Sequence, residues 1–309
     1  MKGEKGFALV LTLVVTALLV AAAVELIHQV YVDTSLNRSF RDGQQASLLA
    51  ESGAYGGIRL LRMVLSGQSG YTSLSDKWAV PFKQEDETGR IEITISEESG
   101  RINLNGLVQQ TGEFDPYTLG MLQRLGTQVQ IPEGTWNALA DWIDSDDLPR
   151  AGGAESSYYK SLNPPYSAHN GKMTTVNELS LVKGFTSDMV AKLGPFVTVY
   201  ANQPGTIAGQ SVNVNTAPKE VLMALDSRID SRTADRIIDE RKVAPFKSIG
   251  ELSRAGVDSQ VASSLTLIAR TNGMVFRITA RGFVKDAART VKAVVRVDGT
   301  PAILSWQEY

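Results

Sequence analysis

The chain has 309 residues, a formal charge of -2, a pI near 5.8 and no cysteine. Without cysteine it has neither a disulfide framework nor a thiolate metal site, and the near-neutral balance creates no global basic field for a polyphosphate. At this length, a hydrophobic content of 43% is enough for one or two domains with real cores.

The first element is apolar. From Phe7 to Val24 no residue is charged, and only Thr12 and Thr16 interrupt the run. At 1.5 Å per residue it makes roughly 27 Å of helix, close to the ~30 Å hydrocarbon core of a bilayer. Lys2 and Lys5 precede it and Glu25 follows. This bias places a short N-terminus in the cytoplasm and the bulk of the chain outside. A cleaved secretory signal is the competing reading, since Ala21-Ala22-Ala23 offers a small-residue site. The core is, however, longer than the roughly 7–15 residues such signals use.

No proline occurs before Pro81, and Leu26, Ile27, Val30, Tyr31, Leu36, Phe40, Leu48, Leu49, Ala54, Ile58, Leu61 and Leu65 recur at spacings of three and four. This pattern predicts a helix continuing to about Leu65, a rod on the order of 90 Å. Gly43, Gly53, Gly56 and Gly57 weaken it, so a break near Asp42-Gly43 is compatible with the pattern.

Strand periodicity follows. Ile91, Ile93 and Ile95 alternate, as do Ile102 and Leu104, and Glu97-Glu98-Ser99-Gly100 between them reads as a hairpin turn. The stretch from Met274 to Gly299 alternates again around Lys285-Asp286-Ala287, with further apolar residues at Ile303 and Leu304. Between about Leu107 and Thr271 the pattern changes to short helical pieces broken by prolines. The expected fold is therefore α+β, a long N-terminal helix packed on a small antiparallel sheet, with a large all-α domain inserted between strands. The expected division is 1–6 leader, 7–66 helix, 67–106 with 272–309 α+β domain, and 107–271 helical insertion.

The most chemical constellation is "DWIDSDDLPRAGGAE". Asp141 and Asp144 are three apart on a helix end, Asp144 and Asp146 are two apart as in a loop, and Glu155 lies beyond. Carboxylates at such spacings suit Ca²⁺, with Asp144, Asp146, Asp147 and Glu155 as the candidate ligands. The alternative is that these acids cap helices and stay solvated. It is not an EF-hand, because Leu148 and Pro149 stand where that loop needs a ligand and a turning glycine. Catalysis has little support: the histidines are His28 and His169, far apart in sequence, and there is no P-loop or nucleophile elbow. The expectation is a non-enzyme.

Four phrases occur in order: "GRINLNGL" at 100–107, "ALADWIDSDDLPRAGGAESSYY" at 138–159, "NELSLVKGF" at 177–185 and "VNVNTAPKEVL" at 212–222. Behind the Lys5-Gly6-Phe7 junction, which resembles the class III signal of type IV pilins and pseudopilins, they resemble the minor pseudopilin K family of the type II, or general, secretion pathway. The resemblance implies a structural subunit at the tip of a short periplasmic pseudopilus, in a complex with minor pseudopilins I and J and above the major pseudopilin. It also implies cleavage by a prepilin peptidase between Gly6 and Phe7, N-methylation of Phe7, retention of the apolar helix in the inner membrane and calcium binding in the helical insertion. Pilins usually carry glutamate at the fifth mature position, thought to pair with the N-terminal amine of the neighbouring subunit. That position is Leu11 here, and the resemblance implies the same lack of glutamate across this family.

A second similarity points elsewhere. Residues 212–252 are similar to tandem helix-hairpin-helix segments of DNA-handling proteins, where glycine-bearing hairpins present N–H groups to phosphate. Here Thr216 reads as an N-cap, "LDSRID" replaces the glycine-rich hairpin, and eight Lys/Arg balance eight Asp/Glu from Ser211 to Leu265. Such a surface lacks the counterion-release drive of DNA binders, so no nucleic acid is expected.

Overall fold

The computed structural model describes residues 4–67, 70–201 and 211–309. Gly6-Phe7, where the resemblance leads one to expect cleavage, and Leu11 lie within helix α1, Glu4–Ser66, which runs unbroken through Gly43. A five-stranded antiparallel sheet lies against its second half. The strands are β1 (Phe82–Asp86), β2 (Gly89–Glu97), β7 (Val275–Val284), β8 (Ala287–Arg296) and β9 (Ala302–Glu308), in that spatial order. The tight β7–β8 turn closes at Val284 opposite Ala287, with Lys285 at φ 50°.

The helix face on the sheet agrees only in part with the expected pattern. Ala54 and Leu61 are completely buried as expected, but Leu48 is exposed, and Ala46 and Ala50, outside that pattern, are completely buried. A Cβ built on Gly57 would stand 2.9 Å from Ile278 Cγ2, one on Gly53 would be 3.1 Å from the Ala280 Cβ, and one on Gly282 of β7 would overlap the Ala46 carbonyl. Small residues on both surfaces let the helix backbone approach the strands closely, and this offsets the low helix propensity of Gly53 and Gly57. Next to this contact, Leu61, Trp78, Phe276, Ile278 and Val295 form an apolar core, with the Trp78 and Phe276 rings 5.1 Å apart.

Sheet neighbours β2 and β7 are far apart in sequence, and a helical block fills the interval. It contains α2 (Pro116–Val129), α3 (Thr135–Ile143), α4 (Ser156–Lys160), α5 (Ser187–Leu193), α6 (Lys219–Leu225), α7 (Ser231–Val243) and α8 (Ser259–Leu265). Its core runs from Ile102 to Ala269 and is separate from the core under the sheet.

The expected hairpin between Ile91–Ile95 and Ile102–Leu104 does not form. Ile102–Asn103, as β3, pairs in parallel with β4 (Val197–Thr198) inside the helical block. The supposed turn is a buried junction. Glu97 accepts hydrogen bonds from Thr72 Oγ1 and Asn213 Nδ2, both at 2.8 Å. Burial nevertheless pushes its carboxyl up to about 7. Glu98, completely buried, accepts from Arg277 Nε and Thr198 Oγ1, both at 2.7 Å, and from Arg101 Nη1 at 3.2 Å. These bonds join the end of β2 to both the sheet and the helical block.

The helical block is built twice on one plan. A second parallel bridge joins β5 (Val212–Asn213) to β6 (Ala269–Arg270), matching β3 with β4. Asn105 Nδ2 donates to the carbonyls of Met173 and Val199 while its Oδ1 accepts from Met173 N. Asn215 makes the same three bonds to Phe246 and Thr271. In each unit a left-handed glycine, Gly184 or Gly256, precedes the last helix, α5 or α8. Thr216 does not cap α6, whose N-cap is Pro218.

If close approach fixes the helix on the sheet, Gly282→Ala costs about 1–3 kcal/mol by overpacking. The full chain in detergent should then melt at lower temperature, and an unchanged Tm would mean that the contact yields freely.

Candidate functional site

The acidic segment is positioned by the end of α3. Asp141 and Asp144 lie three apart, so their side chains leave the same helical face, and the Asp144 N–H closes the last turn onto the Ala140 carbonyl at 2.9 Å. The chain then returns through Arg150 and Gly152, which has φ 78°, to Glu155, the residue before α4. Gly153 is required where the loop crosses the cluster, because a Cβ there would overlap the Asp141 carboxylate. Lys183 Nζ fastens the loop by donating to the carbonyls of Gly152 and Gly153 at 3.2 and 3.0 Å.

Asp141, Asp144 and Glu155 each bring a carboxylate oxygen within 4.8 Å of the others. All three are buried, with 0, 4 and 2% of their surface exposed. Both Glu155 oxygens and Asp144 Oδ1 have no hydrogen-bond partner. Burying an ionised carboxylate unpaired costs several kcal/mol. Burial first, then the charges of Asp141 and Asp144, push Glu155 up to about 7. Burial also raises Asp144, although Arg150 opposes it. An oxygen-rich, buried cluster with unpartnered atoms fits a hard cation.

The acids that the structure brings together are not the full set expected from spacing. Asp146 and Asp147 are exposed and outside the cluster. Asp146 Oδ1 is occupied by the Leu148 N–H at 2.8 Å, and Asp147 Oδ1 accepts from Asn170 Nδ2 at 3.3 Å. Asp144 and Glu155 remain and Asp141 joins them. The i, i+3 spacing of Asp141 and Asp144 was the available signal. Arg150, the lone cation between the acids, is the participant that spacing did not pick out. Its Nη1 donates to Asp141 Oδ1 at 2.7 Å and to Asp144 Oδ2, and its Nη2 donates to the Gly112 carbonyl.

The second possible site is α1 itself. Every described residue from Gly6 to Arg41 is exposed in the isolated chain, including Leu11. The helix carries a stretch long and apolar enough to cross a membrane, with a mean hydropathy of 2.8. Beyond the span, Leu26, Ile27, Val30, Tyr31, Leu36 and Phe40 remain uncovered. On the helical block, by contrast, several cations of 211–265 are committed to neighbours: Lys219 to Asp235 at 2.7 Å, Arg228 to Asp226 and Lys242 to Asp239 at 2.9 Å. Arg241 is buried against the carbonyls of Val214 and Ala217.

With this geometry in place, comparison with known proteins is decisive. The family described as "Type II secretion system (T2SS), protein K" matches residues 100–202 and 212–268. The type II secretion system protein K of Pseudomonas aeruginosa is 32% identical over 272 residues, covering 82% of this chain and 77% of that protein. The chain belongs to the type II secretion system protein K family. Its counterpart from Pectobacterium carotovorum is 28% identical over 269 residues, covering 82% of this chain and 80% of that one. Among solved structures, a chain of the GspK-GspI-GspJ complex from enterotoxigenic Escherichia coli superposes with a TM-score of 0.75 at 21% identity, covering 88% of this chain and 99% of that one. The two family matches together bracket the duplicated helical block, and the candidate metal cluster lies in the first of them.

Proposed function

We propose that this subunit initiates and caps the pseudopilus tip of a type II secretion system. It would do so with minor pseudopilins I and J beside it and the major pseudopilin below. The observation that carries the reading is the uncovered first half of α1 from Gly6 to Arg41, apolar well beyond the length needed for a membrane. Helices that remain apolar outside the bilayer need neighbours, and matching helices of fellow pilin-like subunits supply them. The fold shared with a chain solved in a GspK-GspI-GspJ complex supports the same partners. Leu11 supports the tip position. An apolar fifth residue needs no partner in hydrocarbon, whereas a glutamate there is expensive until paired. The helical block adds bulk above the sheet, so further subunits can be added only from below. The chain is read as single-pass in the inner membrane with a cytoplasmic N-terminus and a periplasmic bulk.

Maturation in this reading is cleavage by a prepilin peptidase between Gly6 and Phe7, followed by methylation of the Phe7 amine. A Cβ at residue 6 meets nothing within 4 Å, so Gly6→Ala leaves the helix undisturbed. We expect Gly6→Ala to abolish processing, leaving the unprocessed chain in the membrane. N-terminal sequencing of the wild type should read methyl-Phe first. A mature chain beginning at Val24 would overturn the reading in favour of an exported, DNA-handling protein.

Asp141, Asp144 and Glu155 are proposed to hold calcium, which together with Arg150 would neutralise their charge and would cross-link α3 to the start of α4. At a hundredfold excess over Kd, a ligand that binds only the folded chain adds about 2.7 kcal/mol, or roughly 5 °C in Tm. The expected result is a calcium-dependent rise of that order in the wild type. In Glu155→Gln the rise is lost while the metal-free Tm does not fall, because the substitution removes an uncompensated charge. An equal calcium shift in the variant would exclude Glu155 as a ligand.

A further inference from the structure

We infer that Arg150 is a positioning residue for this cluster, a tethered counter-charge that tunes it to a divalent cation. The inference rests on the calcium reading above. With all three carboxylates ionised, the cluster of Asp141, Asp144 and Glu155 carries three negative charges, and the single guanidinium within it leaves two. A divalent ion neutralises that remainder.

The hydrogen bonds decide which oxygens are left over. Arg150 Nη1 takes Asp141 Oδ1 and Asp144 Oδ2, and the Arg150 backbone N–H takes Asp141 Oδ2 at 3.1 Å. Asp144 Oδ1 and both Glu155 oxygens stay free. The guanidinium therefore occupies one side of the cluster and leaves the other for an ion. It is itself fixed from behind. Nη2 donates to the Gly112 carbonyl, the Cζ lies 4.9 Å from the Phe114 ring centroid, and the side chain is 19% exposed. A planar fork can hold two carboxylates and a carbonyl at once, a task that a lysine ammonium, as a point charge on a flexible stem, performs less rigidly.

A purely structural arginine and a charge-setting one make different predictions. Loss of a structural cross-link weakens every ion alike. Loss of one positive charge a few ångströms from the site benefits a trivalent ion more than a divalent one, because the removed repulsion scales with ion charge. At about 6 Å and a dielectric of about 40 the difference is roughly tenfold.

The test uses the full chain in detergent and measures Ca²⁺ affinity by calorimetry and Tb³⁺ affinity by luminescence and by competition with Ca²⁺. Arg150→Gln should raise the ratio of Tb³⁺ to Ca²⁺ affinity roughly tenfold over wild type. Arg150→Lys, which keeps the charge, should leave that ratio within about twofold of wild type even if both affinities fall. Circular dichroism establishes that each variant is folded. A ratio unchanged in Arg150→Gln, with Ca²⁺ still binding the wild type, overturns the role of Arg150 and leaves the calcium reading intact. A wild type that binds neither ion overturns both.

Discussion

The architecture depends on one close contact, the seating of α1 on the sheet through residues too small to hold it away. Ala46, Ala50, Gly53, Ala54 and Gly57 meet Ile278, Ala280 and Gly282 of β7, and no large side chain on either surface can take their place. This contact divides the helix by function. Its second half is committed to the body of the molecule from Asp42 onward, where Lys285 Nζ pairs with the Asp42 carboxylate at 2.8 Å. Among the described residues its first half, from Gly6 to Arg41, is exposed throughout, which in the proposed reading leaves it for the membrane and for other subunits. A looser contact would let the rod swing relative to the sheet, and the helical block joined to the sheet would lose its defined position relative to α1.

Buried charge is handled in three ways. Glu98 is fully compensated by two arginines and a threonine, which fits a junction that must not yield. Glu97 beside it receives neutral donors only, and burial raises its pKa. In the acidic cluster Asp141 and Asp144 share one guanidinium, while Glu155 receives no hydrogen bond. Because buried polar atoms are as a rule hydrogen-bonded, the unpartnered Glu155 is the informative exception. It is the observation on which the proposed calcium site rests, since an acid that merely capped a helix end would accept a backbone N–H.

How much of this was legible in the sequence depended on whether the signal was local. The length of α1, its apolar first half and the β7–β8 hairpin follow from hydrophobic periodicity and turn chemistry over neighbouring residues, and the structure agrees. The face that α1 buries was only partly legible from large apolar residues, Leu61 among them. Alanine and glycine give no hydrophobic signal, so Leu48, which is exposed, looked more like a core residue than Ala46 or Ala50. The hairpin expected at 91–104 failed for another reason. Alternation identifies a strand and not its partner, and the partner of Ile102–Asn103 lies nearly a hundred residues away at Val197–Thr198. Likewise Asp144 and Glu155 were legible as acids in a wrapping segment. The exchange of Asp146 and Asp147 for Asp141 required knowing which way the chain turns after Ile143. The duplicated asparagine clamps of Asn105 and Asn215 sit in "NLNG" and "NVNT", a likeness visible in the sequence whose meaning comes only from the three shared hydrogen bonds.

The central claim is that this chain stands once, at the tip, among helices of other minor pseudopilins. The chain has no cysteine of its own, so single cysteines placed at Leu11 and Leu36, both exposed on α1, report neighbours without background. Cross-linking in cells that assemble the complete secretion system should join these positions to minor pseudopilins I and J. No adduct between two copies of this chain should form. A ladder of self-linked multimers would contradict the account, because it would show the subunit repeating along the filament.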